Sequence, residues 1–340
     1  MYRQICEGFG FSASFCLPSS DIGSTRFHLI PAWGYGFWSD VHHVVIQATL
    51  ADLMGRSPIV YWGANSLYKH PTQQANYFEQ FFEPIGSELL SNLDTADSFY
   101  PPVWNRHSHL TGTVAKWSGP YSRLAAPWFF TRTETVTAAE FYTPLSDIIP
   151  WIDASHPYAK LGEDALYRQA FSRYAKPRDD YRRASSDFHT RHMQGARWVA
   201  VHVRGTDKIL ETPNLPAMLQ LTHQRLATLL AADPALRIFL LTDSVQLLRH
   251  FNEHYPGRLL ATNATRRDDT RGVHTVGDDG AKLGSEILLE SLVALKCDYF
   301  VGSMETNVAL AISSMKDWAP DQIFLLGTQP VRGPNPFLYK

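Results

Sequence analysis

The segment VAVHVRGTDKILE, residues 199–211, sets two cations beside two carboxylates directly after an apolar run. His202, Arg204, Asp207, Lys208 and Glu211 are therefore the first residues that could do chemistry. A guanidinium grips phosphate oxygens through two parallel N–H groups, and a lysine adds a point charge. A carboxylate can take the proton of an attacking hydroxyl. The same residue types also make a plain salt-bridge network at a strand end, and both readings stand at this point.

Other candidates share the same position just past an apolar run. SMETN, residues 303–307, opens the helical pattern TNVALAISSM, so Ser303, Thr306 and Asn307 would lie at a helix N-terminus. Unpaired N–H groups and the helix dipole suit an anion there, although simple capping explains the same residues and Glu305 opposes an anion. Asp243 precedes a helical pattern and reads first as its N-cap. Glu286 and Glu290 stand four apart on one face of SEILLESLVALK, as a ligand contact or as a solvated edge. Near the start, Gly34-Tyr35-Gly36 joins a strand pattern to a helix that carries His42 and His43. Such a turn lets backbone N–H groups approach a ligand closely. It is not a dinucleotide fingerprint, because Ser39 stands where a third glycine would be and no acidic residue follows in IVYW. One of the two histidines could orient this loop or donate to a phosphate, the other being packed.

The elements that must position these residues alternate. From residue 198 onward, WVAVHV, RIFLLT, RLLAT, DYFVG and QIFLLG read as strands, separated by helical patterns. Apolar strands alternating with helices imply a parallel sheet covered on both faces, and such sheets bind ligands at the carboxyl ends of their strands. The first half repeats the pattern in FHLIPA, DVHHVVIQATLADLMG and SPIVYW. Seven of the nine tryptophans precede residue 152. KPRDDYRRASSDFHTRHMQGAR, residues 176–197, reads as a polar helix and a linker, which puts a domain boundary near Gly195.

Composition narrows the function classes. With 44% hydrophobic and 19% charged residues the chain can bury proper cores. A net charge of -2 argues against a general nucleic-acid or anionic-membrane binder. Cys6, Cys16 and Cys297 lack the spacing of a zinc site or a disulfide framework. No apolar run reaches a membrane-spanning length, and MYRQICEGFGFSASFCL is a poor secretion signal, so the expectation is a cytoplasmic protein.

Together these segments resemble the α-1,6-fucosyltransferase family, and its bacterial nodulation members in size. The resemblance rests on GYGFWSDVHHVV with GRSPIVYW, FFEPI, VAVHVRGTDK, IFLLTDSVQLLRHFNEHYP, GVHTVGDDG and ILLESLVALKCDYFVGSMETNVALAIS, in the family's order and spacing. It implies an α/β GT-B fold, with two Rossmann-like domains facing across a cleft. These would be an acceptor-side domain over 1–194 and a nucleotide-sugar domain over 195–340. The donor would be GDP-β-L-fucose, the acceptor a saccharide, and transfer would invert the anomeric carbon without a metal or other cofactor. A homodimer is left open. By resemblance Arg204 would hold the pyrophosphate and His202 line the nucleotide pocket. The 34–39 loop would close over the phosphates, with Thr306 and its neighbours on their other side. Glu290 stands where the family has an aspartate near the nucleotide, and His274 matches a histidine in a loop. Two positions depart from the pattern. Gly205 replaces the second arginine of the animal HVRR, and Glu211 lies one position before the family's catalytic carboxylate. Two alternatives keep the fold: another nucleotide-sugar donor, or an inactive carbohydrate- or nucleotide-binding module.

Overall fold

Both stretches of strand–helix alternation form parallel sheets in the computed structural model, which describes residues 25–72, 75–108, 129–130, 132–139, 143–205, 215–269 and 279–327. The chain divides into two units between Lys176 and Pro177, with residues 70–72 grouped with the second.

The first unit is built on β1 (Phe27–Pro31), helix α1 (Phe37–Leu53), β2 (Ser57–Tyr61), β3 (Phe99–Tyr100) and β4 (Val136–Ala138). All pairings are parallel, in the order β2-β1-β4-β3. Every residue of β1 is buried, as expected for a strand covered on both faces. α1 is buried on all sides along Val41–Ala51, so it is a core helix and not a surface one. Helix α2 (Glu163–Tyr174) packs on it through Leu166 and Phe171. Phe37, the first residue of α1, meets Trp38, Trp62, Tyr68 and Phe81 edge-on at 5.1–6.1 Å between ring centroids. Much of the aromatic wealth of the first half is thus core, including Trp38, Trp62 and Trp104.

The second unit runs from helix α3 (Asp179–His192) through β5 (Trp198–His202), α4 (Leu215–Ala232), β6 (Arg237–Leu241), α5 (Val245–His254), β7 (Leu259–Leu260), α6 (Gly280–Ala294), β8 (Tyr299–Ser303) and α7 (Asn307–Met315) to β9 (Ile323–Leu326). Its five strands are parallel in the order β7-β6-β5-β8-β9, with the chain reversing its direction of travel between β5 and β8. Alternate residues face two separate cores. Trp198, Ala200, Phe239 and Phe300 pack on one side, and Val199, Val201, Ile238 and Leu240 on the other.

Two expectations need correction. The boundary falls at 176/177, not at 194/195. The polar helix α3 belongs to the second unit, because its Tyr181 hydroxyl lies 2.8 Å from Ser285 Oγ on α6 and Phe188 packs on the core of that unit. A charged composition hid one packed face. Helix α6 also begins at Gly280, five residues before its apolar pattern does, because Asp279 caps it by accepting from Lys282 N at 2.9 Å.

Candidate functional site

In the second unit the chemistry-bearing residues gather at the carboxyl edge of the sheet. His202 closes β5, and Thr306 follows β8, the strand paired with it at the reversal point. Thr306 is the N-cap of α7, accepting from Ala309 N at 3.3 Å. Its hydroxyl lies 3.0 Å from the Ser303 carbonyl and 3.3 Å from His202 Nδ1. The single hydroxyl proton goes to the carbonyl, which can only accept. Nδ1 is then the protonated nitrogen and Nε2 keeps its lone pair. Burial, with the Arg204 charge adding to it, lowers the His202 pKa to about 3, so the ring is neutral at pH 7.

Arg204 comes two residues later. Its Nε stands 3.6 Å from Asp243 Oδ2, while Asp243 Oδ1 accepts from Gly205 N at 2.9 Å. This corrects the sequence reading of Asp243. The cap of α5 is Ser244, which accepts from Leu247 N, and Asp243 holds the Arg204–Gly205 turn instead. The glycine at 205 has a physical reason. A Cβ there would lie 2.4 Å from Leu247 Cδ1 and 2.9 Å from Ser244 Cβ, so the turn sits against the start of α5 and leaves no room for a second arginine.

Glu290 is not a solvated edge. Its Oε1 accepts from the Thr262 hydroxyl and from Arg266 Nη2, the latter at 3.2 Å. Arg266 Nη1 in turn donates to the carbonyls of Thr262 and Ala264, both at 2.9 Å. Burial raises the Glu290 carboxyl to about 7, against the opposing pull of Thr262 and Arg266. Glu286, one turn earlier, accepts from Thr265 N at 2.8 Å. Both acids on α6 thus hold the 262–266 loop that follows β7. Arg266 and Thr262 escaped the sequence analysis, yet they lie just past a strand, where the same rule would have found them. Arg266 Nε is a buried donor with no partner among the described residues.

The first unit presents a different edge. Gly34 is at φ +82°, a conformation that needs glycine, while Gly36 is at φ -61° and a Cβ there would meet nothing within 4 Å. The N–H groups of Gly34 and Tyr35 both donate to the carboxylate of Asp40, each at 3.1 Å, and Phe37 N donates to the Tyr68 hydroxyl at 2.5 Å. The Gly34 and Tyr35 backbone donors, expected to reach a diphosphate, are engaged in this structure by a buried carboxylate in the first turn of α1. Asp40 was visible only as a favourable charge at a helix start. Both histidines are packed. His42 Nδ1 pairs with the Tyr167 hydroxyl of α2, and His43 is buried against Trp33 at 5.0 Å between ring centroids. A third buried histidine went unforeseen. His28 lies 3.0 Å from Gln47 Oε1 through Nε2 and 2.8 Å from Thr137 Oγ1 through Nδ1, and burial lowers its pKa to about 4.

Asp207, Lys208, Glu211 and His274 lie outside the described residues, as do Cys6 and Cys16. Ser303 accepts from Glu305 N at 3.2 Å and so shapes the turn before α7, whose first residue is Asn307. Burial pushes the Cys297 thiol well above its usual range. Among the described residues no group of three or more His, Cys, Asp or Glu side chains stands as a metal-ligand set, and no helix is long and apolar enough to cross a membrane.

No protein-family model matches the chain, and no curated protein matches it. Solved structures do. The NodZ α-1,6-fucosyltransferase co-crystallised with GDP is 18% identical with a TM-score of 0.56, over 85% of this chain and 92% of that one. The same enzyme soaked with GDP-fucose gives 18% and 0.57, over 86% and 93%. The fucosyltransferase NodZ from Bradyrhizobium gives 17% and 0.55, over 85% and 93%. The likeness establishes the fold: an α/β chain of the GT-B class, with a parallel sheet in each unit.

Proposed function

We propose that this chain transfers L-fucose from GDP-β-L-fucose to a saccharide acceptor, with inversion at the anomeric carbon and without a metal ion. The observation that carries this reading is the grouping of His202, Arg204, Asp243, Glu290 and Thr306 along one sheet edge. Two of these side chains, Glu290 and His202, are each fixed through one atom and have another for a ligand. Glu290 is held through Oε1, which leaves Oε2 to accept from the N–H groups of a guanine edge. His202 is held through Nδ1, so its Nε2 can accept a hydrogen bond.

The reaction needs charge more than it needs covalent help. The acceptor hydroxyl oxygen attacks the anomeric carbon, the bond from that carbon to the phosphate oxygen breaks, and its electron pair stays on GDP. Arg204, held by Asp243, stabilises the added negative charge, and Lys208 assists it. The hydroxyl proton passes to a carboxylate, Glu211 or Asp207. Solved structures of the same fold with GDP or GDP-fucose support this reading.

Thermal shift with nucleotides tests the donor, and GDP release from GDP-fucose tests the reaction. Ligand at about 100 times its Kd adds roughly 2.7 kcal/mol. GDP should raise Tm and UDP far less, and GDP-fucose turnover should survive EDTA. Equal shifts with both nucleotides would remove the guanine assignment and favour another donor. GDP binding without turnover, over a wide screen of acceptors, would leave a nucleotide-binding module.

A further inference from the structure

The loop after β1 offers a ligand an aromatic face, and its Gly34, Tyr35 and Phe37 N–H groups are already engaged. Tyr35 is 52% exposed, one of the few large apolar side chains at the surface among the described residues. Trp33 stands beside it, at 5.8 Å between ring centroids and tilted by 34°. His43 lies against the other ring of the pair, 5.0 Å from Trp33. The pair does not sit on a slack loop. Asp40 holds Gly34 N and Tyr35 N, Tyr68 holds Phe37 N, and the Asn65 amide donates to the Ala32 carbonyl. A ring carried on a backbone fixed this firmly has less conformational freedom to lose on binding than one on a slack loop.

We infer that Trp33 and Tyr35 form a stacking platform for a neutral pyranose, the acceptor side of the transfer. The inference rests on the fucosyltransferase reading. The position is where a parallel sheet takes its ligands, past the carboxyl end of a strand. The chemistry of the platform suits a neutral ligand better than a diphosphate. Its backbone donors Gly34 N and Tyr35 N are held by the buried Asp40 carboxylate, which is of the wrong sign for an anion. A sugar with equatorial hydroxyls has an apolar face of axial C–H bonds, which suits the negative face of an aromatic ring.

Saturation-transfer NMR tests this, with cellotetraose as an all-equatorial probe and GDP titrated into the same samples. The wild type should transfer saturation to the axial protons of the probe. Tyr35→Ala should weaken the probe about tenfold, the loss expected for one stacked ring, while GDP affinity and Tm stay as in the wild type. Tyr35→Phe should keep the contact. No transfer in the wild type, or equal transfer in Tyr35→Ala, overturns the platform. So does a matching loss of GDP affinity in Tyr35→Ala, which would put the ring on the donor. A wild type that binds the probe but neither binds GDP nor turns over GDP-fucose would sink the donor reading and leave the platform standing.

Discussion

The two sheet edges have the same architecture and opposite chemistry. In both units a buried parallel strand ends at a loop that precedes a helix in the chain. After β5 the loop carries Arg204 and is held from the side by Asp243, a residue on the next strand's loop. After β1 the loop carries exposed Tyr35 and is held from beneath by Asp40, on its own helix. One carboxylate aligns a cation, and the other occupies the backbone donors that an anion would need. A strand–loop–helix unit with glycines is therefore not an anion site by geometry alone. What decides is whether a nearby acid has already taken the N–H groups.

The largest expected effect strikes the charged edge. Arg204→Ala should cost on the order of 2–5 kcal/mol of GDP or transition-state binding, since it also leaves Asp243 without that partner. Arg204→Lys should rescue it only in part, because a lysine lacks the guanidinium fork. Steady-state kinetics on GDP-fucose beside GDP titration measure this, and near wild-type values would remove Arg204 from the site.

Acid should strain both units through buried neutral histidines. His28 and His202 have folded pKa values of about 4 and about 3, depressed chiefly by burial from the ordinary 6.5. Depressed values mean the unfolded chain takes up protons first. Their contribution to stability is thus complete above pH 6.5 and falls as pH drops toward 4. At about 1.36 kcal/mol per pKa unit the loss is of order 3 kcal/mol for each ring. Urea unfolding at pH 7 and pH 4.5 reads the sum, and His28→Asn should flatten part of the slope. An unchanged slope would mean that His28 is charged or solvated in the folded protein.

A smaller effect separates holding from binding. Asp40→Asn should destabilise the fold by about 1–3 kcal/mol, because an amide cannot accept from both Gly34 N and Tyr35 N as a carboxylate does. GDP affinity should stay within about twofold, less than 0.5 kcal/mol. A large gain in GDP affinity would show that the freed N–H groups can serve a phosphate after all.

The smallest effects distinguish the two glycines. Gly34→Ala forces a Cβ into φ +82° and should cost about 1–2 kcal/mol. Gly36→Ala should stay within about 0.5 kcal/mol of wild type: φ is already -61° and the space is open, while alanine is a poorer N-cap. Melting temperatures of the pair decide this, and equal losses would contradict the backbone geometry.

Local patterns were enough for the elements and for the rank order of suspicion among residues. Strand and helix periods are set by side chains two to four positions apart, so the alternation that yields parallel sheets was legible, and with it the placing of His202, Arg204 and Thr306 at strand ends. The function of each residue within those ends was not legible, because it depends on partners far away in the chain. Asp243 reads as a cap until Gly205, 38 residues earlier, is seen to bond it. Glu290 reads as an edge charge until Thr262 and Arg266 close on it. His28 reads as an ordinary strand residue until Thr137, 109 residues later, and Gln47 bury and fix it. The polar helix α3 reads as the end of the first domain until Tyr181 and Phe188 find α6 and the sheet of the second unit. Sequence determined which residues stand past the strands, since that follows from periodicity. Tertiary packing decided which of their atoms are held and which are offered, since a hydrogen bond used inside the fold is no longer available to a ligand.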